Sequence, residues 1–487
     1  MPQGMLGYNL AKLSGTGSST DMDQGDAPAV TLTERVVREV KDRVAQRALT
    51  PGARLPSIRA FAAAMKVSKS TVVEAYERLT AEGIITSRRG SGFYVDAPLA
   101  PLSLADLGPK LDQEIDPLWI TRQSLGRNPD LLMPGCGWLP ASWMPQDSLR
   151  RALRTLARAD GSALTDYGTP QGLPALRQFL TRRMAGQGIE ASADQVILTE
   201  SGTQALDLAC RFLLEPGDTV LVDDPCYFNF HALLRAHRAN VVSVPYTAQG
   251  PDLEAFEQAL AQHRPRLYAT NAGVHNPTGA TLSPIVAHRL LRLAERADLT
   301  IVEDDIFADF ETEPTPRLAA FDGLQRVIYC GSFSKTLSAG LRCGFLATRP
   351  SWTRGLTDLK IATSFGGAGL AAELVLAVMA DGGYRRHLAA MRTRLARARA
   401  ETADRLRDLE LIPWIQPAAG MFLWCRLPRD IDGAEIARRA LADHVVLAPG
   451  NAFSLSQTAR SYLRFNVAQC SESRIFSVLR KVIRTAG

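Results

Sequence analysis

The sequence predicts two units of different fold class in one chain of 487 residues: a small α+β unit near the N-terminus and a larger α/β unit behind it. Three observations lead to this prediction. Three helical patterns and a hairpin pattern follow one another between residues 31 and 95. From about residue 196 onward, strand-like and helical runs alternate, as in a parallel sheet covered by helices. The chain is also long enough to bury more than one hydrophobic core.

The first unit is predicted from local signals. Apolar residues at positions 32, 36, 37, 40 and 44 share one face of a first helix. Ser57 and Ser68 are suited to cap a second and a third helix, and the second is expected to bury Phe61, Ala64 and Met65. Two short strand-like runs, residues 84–87 and 93–95, predict a hairpin. Three helices and a hairpin make a winged helix-turn-helix.

The excess positive charge of the chain lies in this first unit. The whole chain has 56 Lys and Arg against 50 Asp and Glu. Residues 31–95 hold 12 of the basic and 6 of the acidic residues, which leaves 44 of each elsewhere. A short basic unit favours a polyanionic partner such as double-stranded DNA, although an ordinary solvated face has the same composition.

The chain is divided as follows. Residues 1–30 are polar and rich in Gly and Ser, which predicts a flexible leader. Residues 31–95 form the winged helix-turn-helix, residues 96–130 contain several prolines and are expected to be a linker, and residues 131–487 form the α/β domain. A smaller subdomain is expected from roughly residue 385 to the end. Strands are expected at residues 196–199, 219–222, 267–270, 300–302, 327–329 and 343–348.

Composition also excludes some classes of protein. No run of about 18 apolar residues is present, so the sequence predicts no transmembrane helix and no membrane partner. The seven cysteines are scattered, odd in number and without C-x-x-C spacing, which argues against a disulfide framework and against a zinc site. These features predict a protein of the cytoplasm.

The runs Pro51–Arg59, Val67–Val72 and Arg88–Gly92 closely resemble the winged helix-turn-helix of GntR-type bacterial regulators. In such a domain the N-terminal residues of the recognition helix face base edges in the major groove. The DNA-binding residues expected on this basis, with the second-helix Arg and the wing on phosphates, are Arg59, Lys69, Ser70, Thr71, Arg88, Arg89, Gly90 and Gly92. Ordinary surface positions are the alternative for these side chains.

Lys335 is the most informative residue of the larger unit. A lysine that forms a Schiff base with a cofactor aldehyde needs small hydroxylated neighbours and a nearby cation for the cofactor phosphate. Ser332, Ser334 and Arg342 provide both. The pattern indicates a pocket for pyridoxal 5'-phosphate.

A second run suits a phosphate as well. Ser201, Gly202 and Thr203 follow a predicted strand and begin a helix. The free N–H groups and the positive end of the dipole at a helix N-terminus favour an anion. A simple capping turn is the alternative.

Residues 131–487 resemble fold-type I pyridoxal-phosphate enzymes, specifically class I aminotransferases. The resemblance implies that Asp304 pairs with the pyridine nitrogen, with Asp304 chosen over Asp305 by its match to the family motif. It implies that Tyr227 stacks on the cofactor ring and that Asn276 bonds the ring 3-hydroxyl.

Two further matches concern partners. Tyr167 corresponds to a tyrosine that reaches the phosphate of the neighbouring subunit, which implies a homodimer, and a packed loop tyrosine is the alternative. Arg464 corresponds to the arginine that grips a substrate carboxylate, which implies an amino-acid-like or amine effector. One position departs from the family: Ile306 and Phe307 stand where a tyrosine is usual, so no phenol is expected to bond the ring oxygen there.

A GntR-type winged helix, a linker and an aminotransferase-like domain are the architecture of the MocR-like regulators, which the chain resembles over almost its whole length. The resemblance implies a transcription regulator that binds operator DNA and senses pyridoxal phosphate or an amino-acid-like effector through a Schiff base at Lys335. A working aminotransferase with a secondary DNA-binding module is the alternative, because transamination needs the same residues. A DNA-binding protein with an inactive fold is the third hypothesis.

Overall fold

The structure is a computed structural model that describes residues 31–45, 49, 52–88, 91–96, 118–125, 128, 130–158, 161–367 and 369–486. The chain divides into two compact units between Ala100 and Pro101. This division, with an α+β unit followed by an α/β unit, confirms the predicted fold class. The predicted leader, residues 1–30, and the wing residues Arg89 and Gly90 lie outside the described residues.

The helices are α1 (Leu32–Ala45), α2 (Ile58–Met65), α3 (Lys69–Ala81), α4 (Trp119–Leu125), α5 (Gln146–Leu156), α6 (Ser162–Thr165), α7 (Pro174–Ala185), α8 (Gly202–Leu213), α9 (Phe228–Ala236), α10 (Leu253–His263), α11 (Pro284–Arg296), α12 (Leu318–Asp322), α13 (Pro350–Ser364), α14 (Gly369–Ala380), α15 (Gly383–Arg407), α16 (Gly433–Ala442) and α17 (Ser473–Thr485).

The strands are β1 (Ile85–Arg88), β2 (Gly92–Val95), β3 (Val196–Thr199), β4 (Thr219–Asp224), β5 (Asn240–Thr247), β6 (Gly250–Pro251), β7 (Leu267–Thr270), β8 (Thr300–Asp304), β9 (Val327–Ser332), β10 (Gly344–Ala347), β11 (Ile412–Pro413), β12 (Phe422–Arg426), β13 (Ala448–Pro449) and β14 (Tyr462–Asn466).

The small unit packs α1, α2, α3 and the β1–β2 hairpin around one apolar core. Ser57 and Ser68 cap α2 and α3 as the sequence predicts, because their hydroxyls accept hydrogen bonds from the backbone N–H groups of Ala60 and Thr71. The expectation for the buried face of α2 is wrong in one position. Ala62, and not Ala64, is buried with Phe61. Phe61 and Ala62 follow Ile58 by three and four positions and therefore share its face of the helix, whereas Ala64 lies outside that face.

The core of the larger unit is an eight-stranded sheet in the order β3-β10-β9-β8-β7-β4-β5-β6. Strands β5, β4, β7, β8 and β9 are parallel, whereas β10 is antiparallel to both of its neighbours. The carboxyl ends of β4, β7, β8 and β9 therefore meet at one edge of the sheet, where open α/β sheets bind their ligands.

The C-terminal part of this unit has an antiparallel sheet in the order β11-β12-β14-β13. The long helix α15 begins at Gly383, close to the predicted start of the smaller subdomain. Within residues 96–130, predicted as linker, α4 is a helix that packs into the larger unit through Ile120, which is 2% exposed.

Among the described residues, no single helix is long and apolar enough to cross a membrane. Helices α13 and α14 reach the required length and composition only together, as a pair bent by 119°.

Candidate functional site

A cavity at the carboxyl edge of the large sheet is lined by four of the residues that the sequence singles out: Tyr227, Asn276, Lys335 and Arg464. Its described lining is formed by Ile120, Thr121, Ser124, Cys136, Gly137, Trp138, Tyr227, Phe228, Asn276, Ile306, Phe307, Lys335, Phe422 and Arg464. These residues come from α4, from residues 136–138 between α4 and α5, from the segments after β4, β7, β8 and β9, and from the C-terminal sheet. The fold thus brings together side chains from Ile120 to Arg464, which lie hundreds of residues apart in the sequence.

Lys335 lies in the turn after β9, and its Nζ donates a hydrogen bond of 2.6 Å to the backbone oxygen of Gly137. Burial lowers the pKa of the Lys335 amine to about 8, and the positive charge of Arg464 acts in the same direction. Cys136 and Asp304 oppose this shift. About a tenth of this amine is therefore neutral at pH 7, and the neutral form is the one that reacts with an aldehyde.

The two neighbouring acids at the end of β8 have different environments. Asp305 is engaged, because its Oδ2 accepts hydrogen bonds from Arg317 Nε at 2.6 Å and from the Tyr329 hydroxyl at 2.7 Å. Asp304 is 2% exposed, and its Oδ1 has no hydrogen-bond partner among the described residues. Asp305 Oδ1 also has no hydrogen-bond partner there, so the two acids differ in their charge partners: Asp305 is paired with Arg317, whereas no salt bridge to Asp304 is found among the described residues.

Burial also raises the pKa of Asp304 to about 7. Asp305 raises it further, whereas Asn271 and Lys335 lower it. A buried carboxylate without a cationic partner is costly, and a protonated ring nitrogen would remove that cost. The residues present therefore fit the pyridine end of pyridoxal phosphate.

The other end of the expected cofactor site is formed by α8 and the end of β9. Ser201 is the N-cap of α8, and its Oγ accepts a hydrogen bond from the Gln204 N–H. Gly344 of β10 lies so close that a Cβ there would be 2.6 Å from the Ser201 carbonyl carbon and 2.7 Å from the Gly202 nitrogen. Thr203, in the first turn of α8, is exposed.

Ser332 and Ser334 adjoin this helix terminus. Their hydroxyls lie 3.1 Å apart, and a Cβ on Gly202 would be 3.5 Å from the Ser332 Cβ. The Ser332 and Ser334 hydroxyls, together with the free N–H groups at the start of α8, thus form one polar cluster that suits a phosphate.

Arg342 and Tyr167 do not line the cavity of Lys335. Both line a second cavity, together with the buried Lys360. Arg342 is exposed and has a φ of 50°, and Tyr167 is 84% exposed with its ring centroid 5.5 Å from that of Phe365. Their predicted contacts with phosphate therefore stay predictions.

Arg464 of β14 is 1% exposed and pairs with no carboxylate among the described residues. Its Nη1 donates to Asn276 Oδ1 at 2.9 Å and its Nη2 donates to the Gly135 oxygen at 2.8 Å. Its Nε has no hydrogen-bond partner in the described part of the chain, and burial lowers the pKa of the guanidinium to about 10. A buried cation with a free donor suits a ligand carboxylate.

Aromatic side chains complete this wall of the cavity. The Arg464 guanidinium lies 4.1 Å from the ring centroid of Phe422 and 4.8 Å from that of Phe453. Burial raises the pKa of Tyr227 to about 12, with a further contribution from Asp304. Ile306 and Phe307 place hydrocarbon where the aminotransferase pattern has a phenol.

Sequence reasoning missed the buried network that supports the turn of Asn276. His275 Nε2 lies 3.4 Å from Asp223 Oδ2, and the hydroxyls of Tyr268 and Thr270 donate to the same carboxylate. The His275 ring stacks on Tyr246 with centroids 3.7 Å apart. The only local sequence signal for this network is the polar pattern at the end of β4, because its members come from β4, β5, β7 and the turn after β7.

The candidate DNA surface lies on the small unit. Arg59, Lys69, Ser70, Arg88 and Gly92 are exposed, and Thr71 is half-exposed at the start of α3. The Thr71 hydroxyl lies 2.8 Å from Ser68 Oγ, and the Arg88 guanidinium lies 4.4 Å from the ring centroid of Tyr94. Gly92 has a φ of 109°, which favours glycine over every other residue.

Arg54 belongs to the same surface and was missed. Residues 53–55 pair with β2 through hydrogen bonds between Leu55 and Phe93 and between Val95 and Ala53. A Cβ on Gly92 would be 3.5 Å from Arg54 Nε. This isolated β-bridge between Arg54 and Tyr94 places a further exposed cation beside the wing.

Comparison with known proteins assigns both units. Residues 138–482 match the family aminotransferase class I and II. The chain belongs to the aminotransferase class I and II family. Residues 32–95 match the bacterial regulatory proteins of the gntR family. This member of the aminotransferase class I and II family is therefore a GntR-family transcription regulator, with the MocR-like architecture that the sequence predicts.

Relatives of both kinds are similar to this aminotransferase-family regulator. An uncharacterized HTH-type transcriptional regulator of Escherichia coli (strain K12), YdcR, is 28% identical over 89% of this chain and 94% of its own length. The HTH-type transcriptional regulator NorG of Staphylococcus aureus (strain USA300) is 24% identical over 88% of this chain and 98% of its own length.

Enzymes match the larger unit. The 2-aminoadipate transaminase of Thermus thermophilus is 30% identical over 72% of this chain and 88% of its own length. The crystal structure of the Thermus thermophilus α-aminoadipate aminotransferase LysN, in complex with N-(5'-phosphopyridoxyl)-L-leucine, has a TM-score of 0.68 at 27% identity. It covers 75% of this chain and 94% of its own.

Proposed function

We propose that this protein is a pyridoxal-5'-phosphate-dependent transcription regulator that binds operator DNA and senses the cofactor, an amino-acid-like effector, or both through Lys335. The observation that carries this proposal is a buried carboxylate close enough to the Lys335 amine for each charge to affect the pKa of the other group. Asp304 has a free buried acceptor, and Lys335 has a pKa lowered to about 8. The α-aminoadipate aminotransferase to which the larger unit is similar holds a phosphopyridoxyl compound.

Pyridoxal phosphate, when bound, supplies an aldehyde that reacts with amines and a ring that withdraws electrons. In the proposal, Asp304 keeps a proton on the ring nitrogen and Asn276 and Tyr227 orient the ring. Ser201, Gly202, Thr203, Ser332 and Ser334 hold the phosphate, joined by Arg342 and by Tyr167 of a second copy. Lys335 provides the amine that an effector amine displaces, and Arg464 binds the effector carboxylate.

We further propose a homodimer that acts in the cytoplasm. Tyr167 and Phe365 are 84% and 66% exposed and form an aromatic pair on the surface. Exposed apolar pairs of this kind are typical of surfaces that a second subunit covers. Light scattering of the purified protein tests the dimer, and a monomeric mass at micromolar concentration would contradict it.

Regulation follows from the two units only if the ligand distinguishes two arrangements of the protein, because a ligand with equal affinity for both shifts nothing. The experiment is binding of the purified protein to its own upstream intergenic DNA at physiological salt, with and without pyridoxal phosphate, alongside the absorbance spectrum. We expect a cofactor band and a specific DNA affinity that changes with the cofactor. A cofactor band with sequence-independent DNA binding would contradict the proposal.

The second candidate is an active aminotransferase with a DNA-binding module. Its support is the 30% identity to a 2-aminoadipate transaminase together with the retention of Lys335, Asp304 and Arg464. Lys335 would then move a proton at the substrate Cα. Steady conversion of an amino acid and a keto acid would favour this function, whereas binding without turnover would favour the regulator.

A further inference from the structure

Helix α4 forms one wall of the Lys335 cavity, although it comes from the segment expected to be linker. Its residue Ile120 is 2% exposed and belongs to an apolar cluster that includes Phe228, Trp424 and Phe453. Thr121 and Ser124 lie on the neighbouring part of the helix and line the cavity. Helix α4 is therefore the first described helix or strand that follows β2, the last strand of the DNA-binding unit.

Ser124 has an unusual environment for a helical serine. It is 5% exposed, and its Oγ has no hydrogen-bond partner among the described residues. Helical Ser and Thr hydroxyls often donate to a carbonyl four residues earlier, as Thr357 donates to the Thr353 oxygen at 2.7 Å. A buried hydroxyl without a partner is costly, so it marks a position where a ligand atom completes a hydrogen bond.

The remaining lining restricts the chemistry of that ligand. Among the described lining residues, the charged side chains are Lys335 and Arg464, both basic. The rest of the wall is largely apolar and includes Trp138, Phe228, Ile306, Phe307 and Phe422. Once Lys335 faces the ligand amine and Arg464 its carboxylate, this described lining leaves no acid for a cationic side chain and no further cation for a second carboxylate.

We propose that Ser124 determines ligand specificity by binding the side chain of a neutral amino acid that carries a hydroxyl, amide or carbonyl group. This inference rests on the proposed function, since it takes the ligand amine to displace the Lys335 amine at the cofactor and the ligand carboxylate to be held by Arg464. The bond to Ser124 exists only while α4 is seated against the cavity. Ligand binding therefore stabilises the seated helix.

The test measures ligand preference in the full chain loaded with pyridoxal phosphate. The probes are two pairs of similar size, L-threonine with L-valine and L-glutamine with L-methionine, with L-lysine and L-glutamate as charged comparisons. Dissociation constants come from calorimetry. We expect the wild type to bind the hydrogen-bonding member of at least one pair about 3- to 10-fold more tightly, as one hydrogen bond gives.

The variants separate the hydroxyl from its surroundings. Ser124→Ala is expected to reduce that preference to about one, whereas Ser124→Thr retains a hydroxyl and most of the preference. Ser477→Ala is the matched control, because Ser477 is an exposed serine of α17. An unchanged preference in Ser124→Ala, or tighter binding of L-lysine or L-glutamate than of every neutral probe, would overturn the proposal.

Trypsin cleavage after Arg122, which is exposed on α4, provides a second readout that does not depend on cofactor absorbance. The preferred probe should slow this cleavage in the wild type more than in Ser124→Ala. Equal cleavage with and without a bound probe would overturn the seating of α4. Failure of the proposed function looks different, because the wild type would then show no cofactor band or only sequence-independent DNA binding.

Discussion

The basic residues of the two units differ in their surroundings. On the small unit, Arg54, Arg59, Lys69 and Arg88 are exposed. In the larger unit, Arg464 is buried without a carboxylate partner among the described residues, and Lys335 has a lowered pKa. Exposed cations suit a large polyanion and are screened by salt, whereas buried cations suit a small ligand that is removed from water.

The comparison teaches that the same residue type signals different partners according to its burial. A net charge locates the first kind of site, because the excess lies within residues 31–95. It says nothing about the second kind, because the residues outside 31–95 include 44 basic and 44 acidic ones. The predictions below change one side of this comparison at a time, and the largest expected effect comes first.

Replacing Lys335 with Ala is expected to abolish covalent attachment of pyridoxal phosphate entirely, since its amine is the only lysine nitrogen among the described lining residues of the cavity. Borohydride reduction followed by peptide mass analysis measures the attachment. Binding of DNA by the cofactor-free protein should persist, because Lys335 belongs to the other unit. Retained attachment in this variant would remove the assignment of the cavity.

Replacing Arg464 with Met is expected to weaken amino acid binding by roughly 100-fold, because loss of one partner of a buried charge pair costs about 2–5 kcal/mol. Titration with an amino acid and with the amine that lacks its carboxylate isolates the effect. The wild type should prefer the amino acid, and the variant should bind both alike. A preserved preference would show that the carboxylate is held elsewhere.

Replacing Asp304 with Asn is expected to stabilise the cofactor-free protein at pH 8 by on the order of 2 kcal/mol, while it weakens cofactor binding. The pKa of Asp304 is raised from 3.8 to about 7. The wild type therefore loses stability as pH rises from about 4 to about 7, and the charged acid carries the full cost above that window. Denaturant unfolding of both proteins between pH 5 and 8 should show a gap that widens with pH. A constant gap would contradict the assigned pKa.

Replacing Lys69 or Arg54 with Ala tests two kinds of DNA contact on the small unit. Lys69→Ala should weaken operator binding by roughly 10-fold and non-specific binding less, as expected for a base contact. Arg54→Ala should weaken both by a similar factor and lower the salt slope by about one. Fluorescence anisotropy at several salt concentrations measures both. If Lys69→Ala weakened both kinds of binding equally and Arg54→Ala weakened mainly operator binding, Arg54 would contact bases and Lys69 would contact phosphates.

Much of this account could be predicted from local sequence. The caps Ser57 and Ser68 and the strands β3 and β7 depend on neighbouring residues, so their prediction succeeds. The matches to family motifs named the residues of the cavity, but no local pattern offers a physical reason to prefer Asp304 over Asp305. That reason lies in Arg317 and Tyr329, which occupy Asp305 from other elements.

Helix α4 could not be predicted for a similar reason. Its seven residues form too short a helix to be stable alone, and its stability comes from the packing of Ile120 against an apolar cluster that includes Phe228 and Phe453. Those partners lie more than a hundred residues away in sequence. Short strands are expected in the C-terminal portion, but the positions of the two-residue strands β11 and β13 could not be predicted.

The central claim is that the cavity and the DNA-binding unit are energetically linked, and linkage is reciprocal. The most direct measurement is the dissociation constant of pyridoxal phosphate for the full chain with and without saturating operator DNA. The account predicts that DNA changes this constant, by the same factor by which pyridoxal phosphate changes the affinity for the operator. Identical constants with and without DNA would contradict it and favour the aminotransferase.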